Sequence, residues 1–257
     1  MAYVEIADRG PVRVLTMNRP EARNALNPDL IGTLYTALCE ADDDSAVRAV
    51  VLTGADPAFC AGVDLKEAQR LGTAYFEQFR TQSCIRQTGQ MRKPIVGAIN
   101  GPVFTGGLEM ALGCDFLIAS ERAVFADTHA RVGILPGGGM TARLPQVVGA
   151  AMARRLSMTG EVVDAACAQR IGLVTEVVPH DRLLPRAVEL AGQIAEVPTP
   201  IMAGLKEIYV TGAAAVTDPA LAAEQAIAGA QELDRDSLGT RYAEITERNR
   251  RQIRPQS

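Results

Sequence analysis

Between Pro94 and Asp115 the chain makes a short apolar run to Ile99, turns through Gly101, Gly106 and Gly107, and enters an apolar helix-like run with one acid, Glu109. A branched apolar run of that length reads as a strand buried on both faces. The run Val47 to Thr53 repeats the pattern, passing through the loop Gly54 to Val63 into Asp64-Leu-Lys-Glu67, which has capping-box spacing. Glu109 is flanked only by Gly, Leu, Met and Ala, so no solvent-facing role explains it. In the first turn of a helix it sits beside N–H groups that the glycine turn leaves unbonded. An acid and a bare helix N-terminus together suit chemistry on a carbonyl whose oxygen becomes negative.

The rest of the chain fits an α/β domain followed by a helical part. Residues 2–7 and 11–17 alternate around Arg9-Gly10 as a β-hairpin. Asn27-Pro28 supplies an N-cap and a proline at the first helical position, opening a helix to about Asp42. Asp64 opens a polar helix toward Gln90, Gly106 to Leu112 is a short helix, and Asp115 to Ala119 a further strand. Helices are expected over 141–148, 150–158 and 164–170, then a strand near Leu173 to Val178. Asp181 is expected to cap a helix to about Ala195, with further helices at Thr199 to Tyr209, Asp218 to Leu233 and Ser237 to Gln252.

Bulk properties narrow the classes. With 257 residues and a net charge of −4, the chain suits one large domain or a domain with an appendage and has no basic excess for nucleic acid. Its basic end, Arg248-Asn-Arg-Arg251 and Arg254, reads first as a solvated helix end and second as a phosphate partner. The five cysteines (Cys39, Cys60, Cys84, Cys114, Cys167) lack CxxC spacing and read as reduced thiols, which fits a cytoplasmic setting better than a disulfide frame or zinc site. Two histidines exclude a His-rich metal site. No secretory signal, membrane span or membrane association is expected. Gly137-Gly-Gly-Met-Thr-Ala142 nearly fits a dinucleotide fingerprint, but it follows Pro136 instead of a clean strand and reads as a glycine turn into a helix.

Phe59-Cys-Ala-Gly-Val-Asp-Leu65 is a second glycine turn before a helix. Alone it is only strand, loop and capped helix. Paired with the turn at Gly106, it can aim two backbone N–H groups, one of them from Val63, at one oxygen.

These segments resemble the enoyl-CoA hydratase/isomerase (crotonase) family. The resemblance runs through Met17-Asn-Arg-Pro-Glu-Ala-Arg-Asn-Ala-Leu26, Val51-Leu-Thr-Gly54, Ala58 to Leu65, Lys93-Pro94, Asn100-Gly101, Gly106-Gly-Leu-Glu109, Cys114-Asp115 and Val132-Gly-Ile-Leu-Pro-Gly137. It covers roughly residues 3–250 in consistent order. It implies a crotonase-like ββα spiral over 1–195, a helical trimerisation region over 196–257, and a homotrimer or homohexamer. It also implies an acyl-CoA thioester ligand and no separate cofactor, coenzyme A being part of the substrate.

Residue by residue, the resemblance makes Val63 and Gly106 the oxyanion-hole donors. Ala22, Ala25, Ala61, Asp64, Leu65 and Lys66 become CoA-contacting positions, and Glu109 the first of two catalytic glutamates. The sequence departs from the family at the second: in Phe125-Ala-Asp-Thr-His-Ala-Arg-Val-Gly133 that place is held by His129. A lone histidine is by default a satisfied structural residue, but imidazole exchanges protons near neutral pH and can take over such a role. Asp127, two residues earlier, would need a shifted register.

Hydration of a 2-enoyl thioester is therefore expected. Double-bond isomerisation and acyl-CoA binding with little catalysis are the alternatives, the last motivated by the missing glutamate. Leu71, Tyr75, Phe76 and Phe79 could line the acyl pocket or pack against the core.

Overall fold

The structure, a computed structural model, describes residues 2–232 and 235–253, with 235–240 and 242 described by backbone alone. Its first strands, β1 (Val4–Arg9) and β2 (Val12–Met17), form the expected antiparallel hairpin. Helix α1 (Pro28–Asp43) is capped as its sequence demands, the Asn27 side chain accepting from Leu30 N at 3.0 Å with Pro28 at the first position. The chain then runs through β3 (Ala49–Gly54), α2 (Leu65–Leu71), α3 (Thr73–Thr81), α4 (Cys84–Gln90), β4 (Ile95–Ile99), β5 (Val103–Phe104) and α5 (Gly106–Ala111). It continues with β6 (Phe116–Ser120), β7 (Val124–Ala126), α6 (His129–Val132), α7 (Met140–Val148), α8 (Ala150–Thr159), β8 (Val163–Asp164), α9 (Ala165–Arg170) and β9 (Glu176–Val178). Three helices close it: α10 (Leu183–Glu196), α11 (Thr199–Gly229) and α12 (Arg235–Ile253).

The main sheet has the order β1-β2-β3-β4-β6-β9, parallel after the first hairpin. A small sheet, β5-β7-β8, stands beside it. Strand alternation splits β3 between two cores. Val50 and Leu52 point into the larger cluster with α1, whereas Ala49 and Val51 point into a second one against Leu183, Ala187, Ala191 and Ala195 of α10. Helices thus cover both faces, which is why the strands read as continuous apolar runs.

Four expectations change. The polar helix from Asp64 to Gln90 is three helices, broken at Gly72, whose φ of +60° ends α2, and again before Ser83, whose side chain caps α4. Asp181 does not cap α10; it lies in a 3-10 turn, His180–Arg182, that leads into the helix. The helices expected at 199–209 and 218–233 are one helix, α11, ending at Gly229 and running through Pro219; Leu233 is outside the described residues. The short strands β5, β7 and β8 are additional to the sequence reading.

Candidate active site

Two loops are clamped together at the carboxyl end of the parallel strands. The Asn24 amide donates to Ala55 O at 2.8 Å and Ala58 O at 2.7 Å, and its oxygen accepts from Arg19 N at 2.8 Å. Ala61 N donates to Arg23 O at 3.0 Å, and Leu26 N to Gly62 O at 2.8 Å. These bonds bring Ala22 and Ala25 against Ala61, and all three line a cleft of about 400 Å³ together with Val63, Asp64, Leu65, Lys66 and His129. Asp64 is committed within its wall. One oxygen caps α2 through Lys66 N and Glu67 N, and the other pairs with Arg19 at 2.6 Å.

The second glycine turn meets the first. A Cβ on Gly62, where φ is +93°, would lie 2.8 Å from Phe104 O and 3.4 Å from Gly106 N, so only glycine lets the loops touch. Thr105 carries the rare positive φ of +52° that swings the chain into α5. Its N–H goes to Ala126 O, while Val63 N and Gly106 N donate to no partner among the described residues. Two free donors on touching backbones can polarise a single oxygen.

Behind this edge lies the acid. Glu109 is 3% exposed, and its Oε1 accepts from Gly138 N at 2.8 Å and Met140 N at 3.3 Å, at the start of α7. Its Oε2 faces His129 Nε2 at 3.7 Å. Burial raises the Glu109 pKa, Glu224 adds to this, and the nearby imidazole and N–H donors offset it in part. For His129 burial pulls the pKa down, but Glu109, then Asp127 and Glu224, outweigh it and leave the ring above its ordinary value.

The expected residues therefore converge. His129 faces both the cleft and Glu109, whereas Glu109 sits behind it. Leu71, Tyr75, Phe76 and Phe79 do not line the cleft. Tyr75 is 1% exposed, its hydroxyl donates to Leu26 O and accepts from Asp64 N, and its ring packs edge-on against both phenylalanines. The far wall comes from α12 through Ile245, Thr246, Asn249, Arg250 and Ile253. Of the basic end, Arg248 binds the carbonyls of Thr159 and Gly160, Arg251 pairs with Glu247 and Arg250 reaches the cleft; Arg254 lies outside the described residues.

The sequence reading missed Glu224. This acid of α11 is 6% exposed, accepting from Gly139 N at 2.6 Å, Thr141 N at 2.6 Å and Thr141 Oγ1 at 2.5 Å. Its signal resembled that of Glu109: one acid in an apolar run, Ala220 to Ala230. Arg143 was also missed. It donates to Gly138 O at 2.9 Å, and burial lowers its pKa against the pull of the two glutamates.

Touching loop backbones with two free N–H groups, set beside a buried Glu–His pair in an α/β fold, have the make-up of a site that could bind a carbonyl. Residues 8–246 match the family profile described as Enoyl-CoA hydratase/isomerase. A probable enoyl-CoA hydratase of Rhizobium meliloti is 42% identical over 204 residues, 79% of each chain. A crotonyl-CoA hydratase of Syntrophomonas wolfei is 41% identical over 76% of each. The crystal structure of an enoyl-CoA hydratase from Mycobacterium tuberculosis superposes with a TM-score of 0.79 at 46% identity, covering 88% of this chain and 97% of that one. The chain belongs to the enoyl-CoA hydratase/isomerase family, with its crotonase fold.

Proposed function

We propose that this protein hydrates 2-enoyl-CoA to 3-hydroxyacyl-CoA with Glu109 and His129 as its proton-transfer pair. The observation that carries the assignment is the 3.7 Å approach of Glu109 Oε2 and His129 Nε2, both buried, with His129 and Val63 lining the same cleft. The thioester oxygen accepts from Val63 N and Gly106 N, and the enolate charge that builds there meets donors needing no rearrangement. Each such donor is worth about 3–4 kcal/mol in comparable sites. Glu109 takes a proton from water as its oxygen bonds to the β-carbon. Protonated His129 gives its proton to the α-carbon. The proton on Glu109 then passes to His129, so water has been added across the double bond and both groups are restored.

The same reading seats the CoA moiety along Ala22, Ala25, Ala61, Leu65 and Lys66, with Arg23, Lys66 and Arg250 as cations for its phosphates. Asp64 serves it indirectly, by holding α2 and Arg19. Residues 1–195 are the spiral core, and 196–257 assemble the chain into a homotrimer or homohexamer. The five unpaired thiols support a reducing cytoplasmic setting.

The test follows loss of the conjugated thioester absorbance when purified protein meets crotonyl-CoA and longer 2-enoyl-CoAs. Protein that binds CoA esters yet leaves these substrates unchanged overturns the assignment. Absorbance that rises from 3-enoyl-CoA in that same protein replaces hydration with isomerisation.

A further inference from the structure

We propose that Asp127 is a positioning residue for this site: its carboxylate holds the His129 ring so that Nδ1 carries a proton and Nε2 faces Glu109 and the substrate. Asp127 directly follows β7, in the short loop before α6, and is 1% exposed. Its Oδ1 accepts from His129 N at 3.2 Å and from His129 Nδ1 at 2.8 Å, so one oxygen fixes both the backbone turn and the ring. Its Oδ2 is buried with no hydrogen-bonded partner, although the Ser157 hydroxyl is close enough to help hold the carboxyl low. A half-satisfied buried carboxylate is costly. An asparagine or serine would serve the turn at less cost, and what neither supplies is a charged acceptor for Nδ1–H.

The surrounding charges leave that role to Asp127. Glu109 from α5 faces the other ring nitrogen, and Glu224 from α11 lies further off with Arg143 of α7 beside both glutamates. Arg131 and Arg248 turn to the carbonyls of Thr159 and Gly160, and Arg241 packs over Gly133. A carboxylate oxygen can only accept, so the neutral ring keeps its proton on Nδ1 and presents a lone pair at Nε2. That tautomer receives a proton from Glu109. The other would set a lone pair against a carboxylate and an N–H where the proton must arrive. Asp127 thus acts through His129, and the proposal rests on His129 being the acid of the hydration.

The experiment compares Asp127→Asn in the wild-type and His129→Glu backgrounds with crotonyl-CoA across pH. In the wild-type background kcat is expected to fall roughly 100-fold or more with KM little changed. The alkaline limb of kcat/KM is expected to move to lower pH, because the imidazolium loses its charged partner. In the His129→Glu background the same change should cost far less, since no ring remains to orient. Equal losses in both backgrounds, or a loss with an unmoved alkaline limb, would show a structural role and overturn the proposal. If His129→Gln itself leaves turnover intact, the underlying acid assignment fails instead. Should Asp127→Asn not fold, nitrogen-15 spectra of the intact protein decide. Only two histidines are present, and His180→Gln assigns them. Protonated Nδ1 in neutral His129 is expected, and an unprotonated Nδ1 overturns the proposal.

Discussion

Glu109 and His129 titrate as a pair, because a proton lost by one changes the field at the other. Both are displaced upward, Glu109 by burial and His129 by its two carboxylate neighbours against burial. The proposed hydration needs Glu109 ionised and His129 protonated. The kcat/KM profile is therefore expected to be a bell whose acid limb lies above the ordinary glutamate value and whose alkaline limb lies above the ordinary imidazole value. Initial rates across pH check this, and an alkaline limb at or below about 6.5 would contradict it. Glu109→Gln keeps an oxygen for Gly138 N and Met140 N but removes the proposed base. Turnover should drop about 10²- to 10⁴-fold, while the melting temperature stays at or above wild type because a buried charge is gone. Stability depends on pH through His129 and its partner Asp127. The raised pKa of His129 gives stability that is full below its unfolded value and lost as pH rises through the folded one. The depressed pKa of Asp127 gives stability present above its unfolded value and lost as pH falls through the folded one. Together they are complete only between about pH 4 and 6.5, so urea midpoints of wild type minus His129→Gln should differ most inside that window.

At the scale of elements, the start of α7 organises the site. Its first N–H groups are taken by two carboxylates from distant segments, Glu109 and Glu224. A Cβ at Gly138 would lie 2.7 Å from Glu109 Oε2 and 2.6 Å from Ile85 Cγ2. Gly138→Ala should therefore cost about 1–3 kcal/mol of stability and lower kcat more than it raises KM, measurable by melting and steady-state kinetics. Much of this was legible beforehand. The glycine turns at Gly62 and Gly106 announced themselves because each follows a buried strand and opens a helix, and Asn27-Pro28 named its own helix. Glu109 stood out by chemical incongruity, and His129 by its place in a family pattern. The rest depended on tertiary context. Strands of two or three residues, such as β5 and β8, show too little alternation to be read. Asp218-Pro219 mimics a helix start, yet the alanines at 213–215 carry α11 through it at the loss of one backbone bond. Asp127 looked like a shifted catalytic acid, because only the folded turn brings its oxygen onto Nδ1.

At the scale of the whole molecule, α11 is left incomplete. Glu224 is its one buried residue among those described, and Ile201, Leu205, Ile208, Tyr209 and Val216 are exposed by 64%, 46%, 70%, 73% and 63%. Ile201, Leu205, Ile208 and Val216 recur at helical spacing along one stripe. An apolar strip of that extent on a helix that packs mainly through its far side is the mark of an interface, which the proposed trimer or hexamer supplies. The helix that carries this stripe also sends Glu224 to the start of α7, so assembly and the acid pocket share an element. Leu205→Asp combined with Ile208→Asp should lower the sedimenting mass to that of one chain without unfolding the sheet, whose cores lie elsewhere. Turnover should fall as well, since an unsupported α11 holds Glu224, and through it the α7 start beneath Glu109, less firmly. Sedimentation velocity and crotonyl-CoA hydration on the same samples check both. A variant that remains assembled removes this stripe from the interface, and a monomer with full turnover uncouples assembly from the pocket.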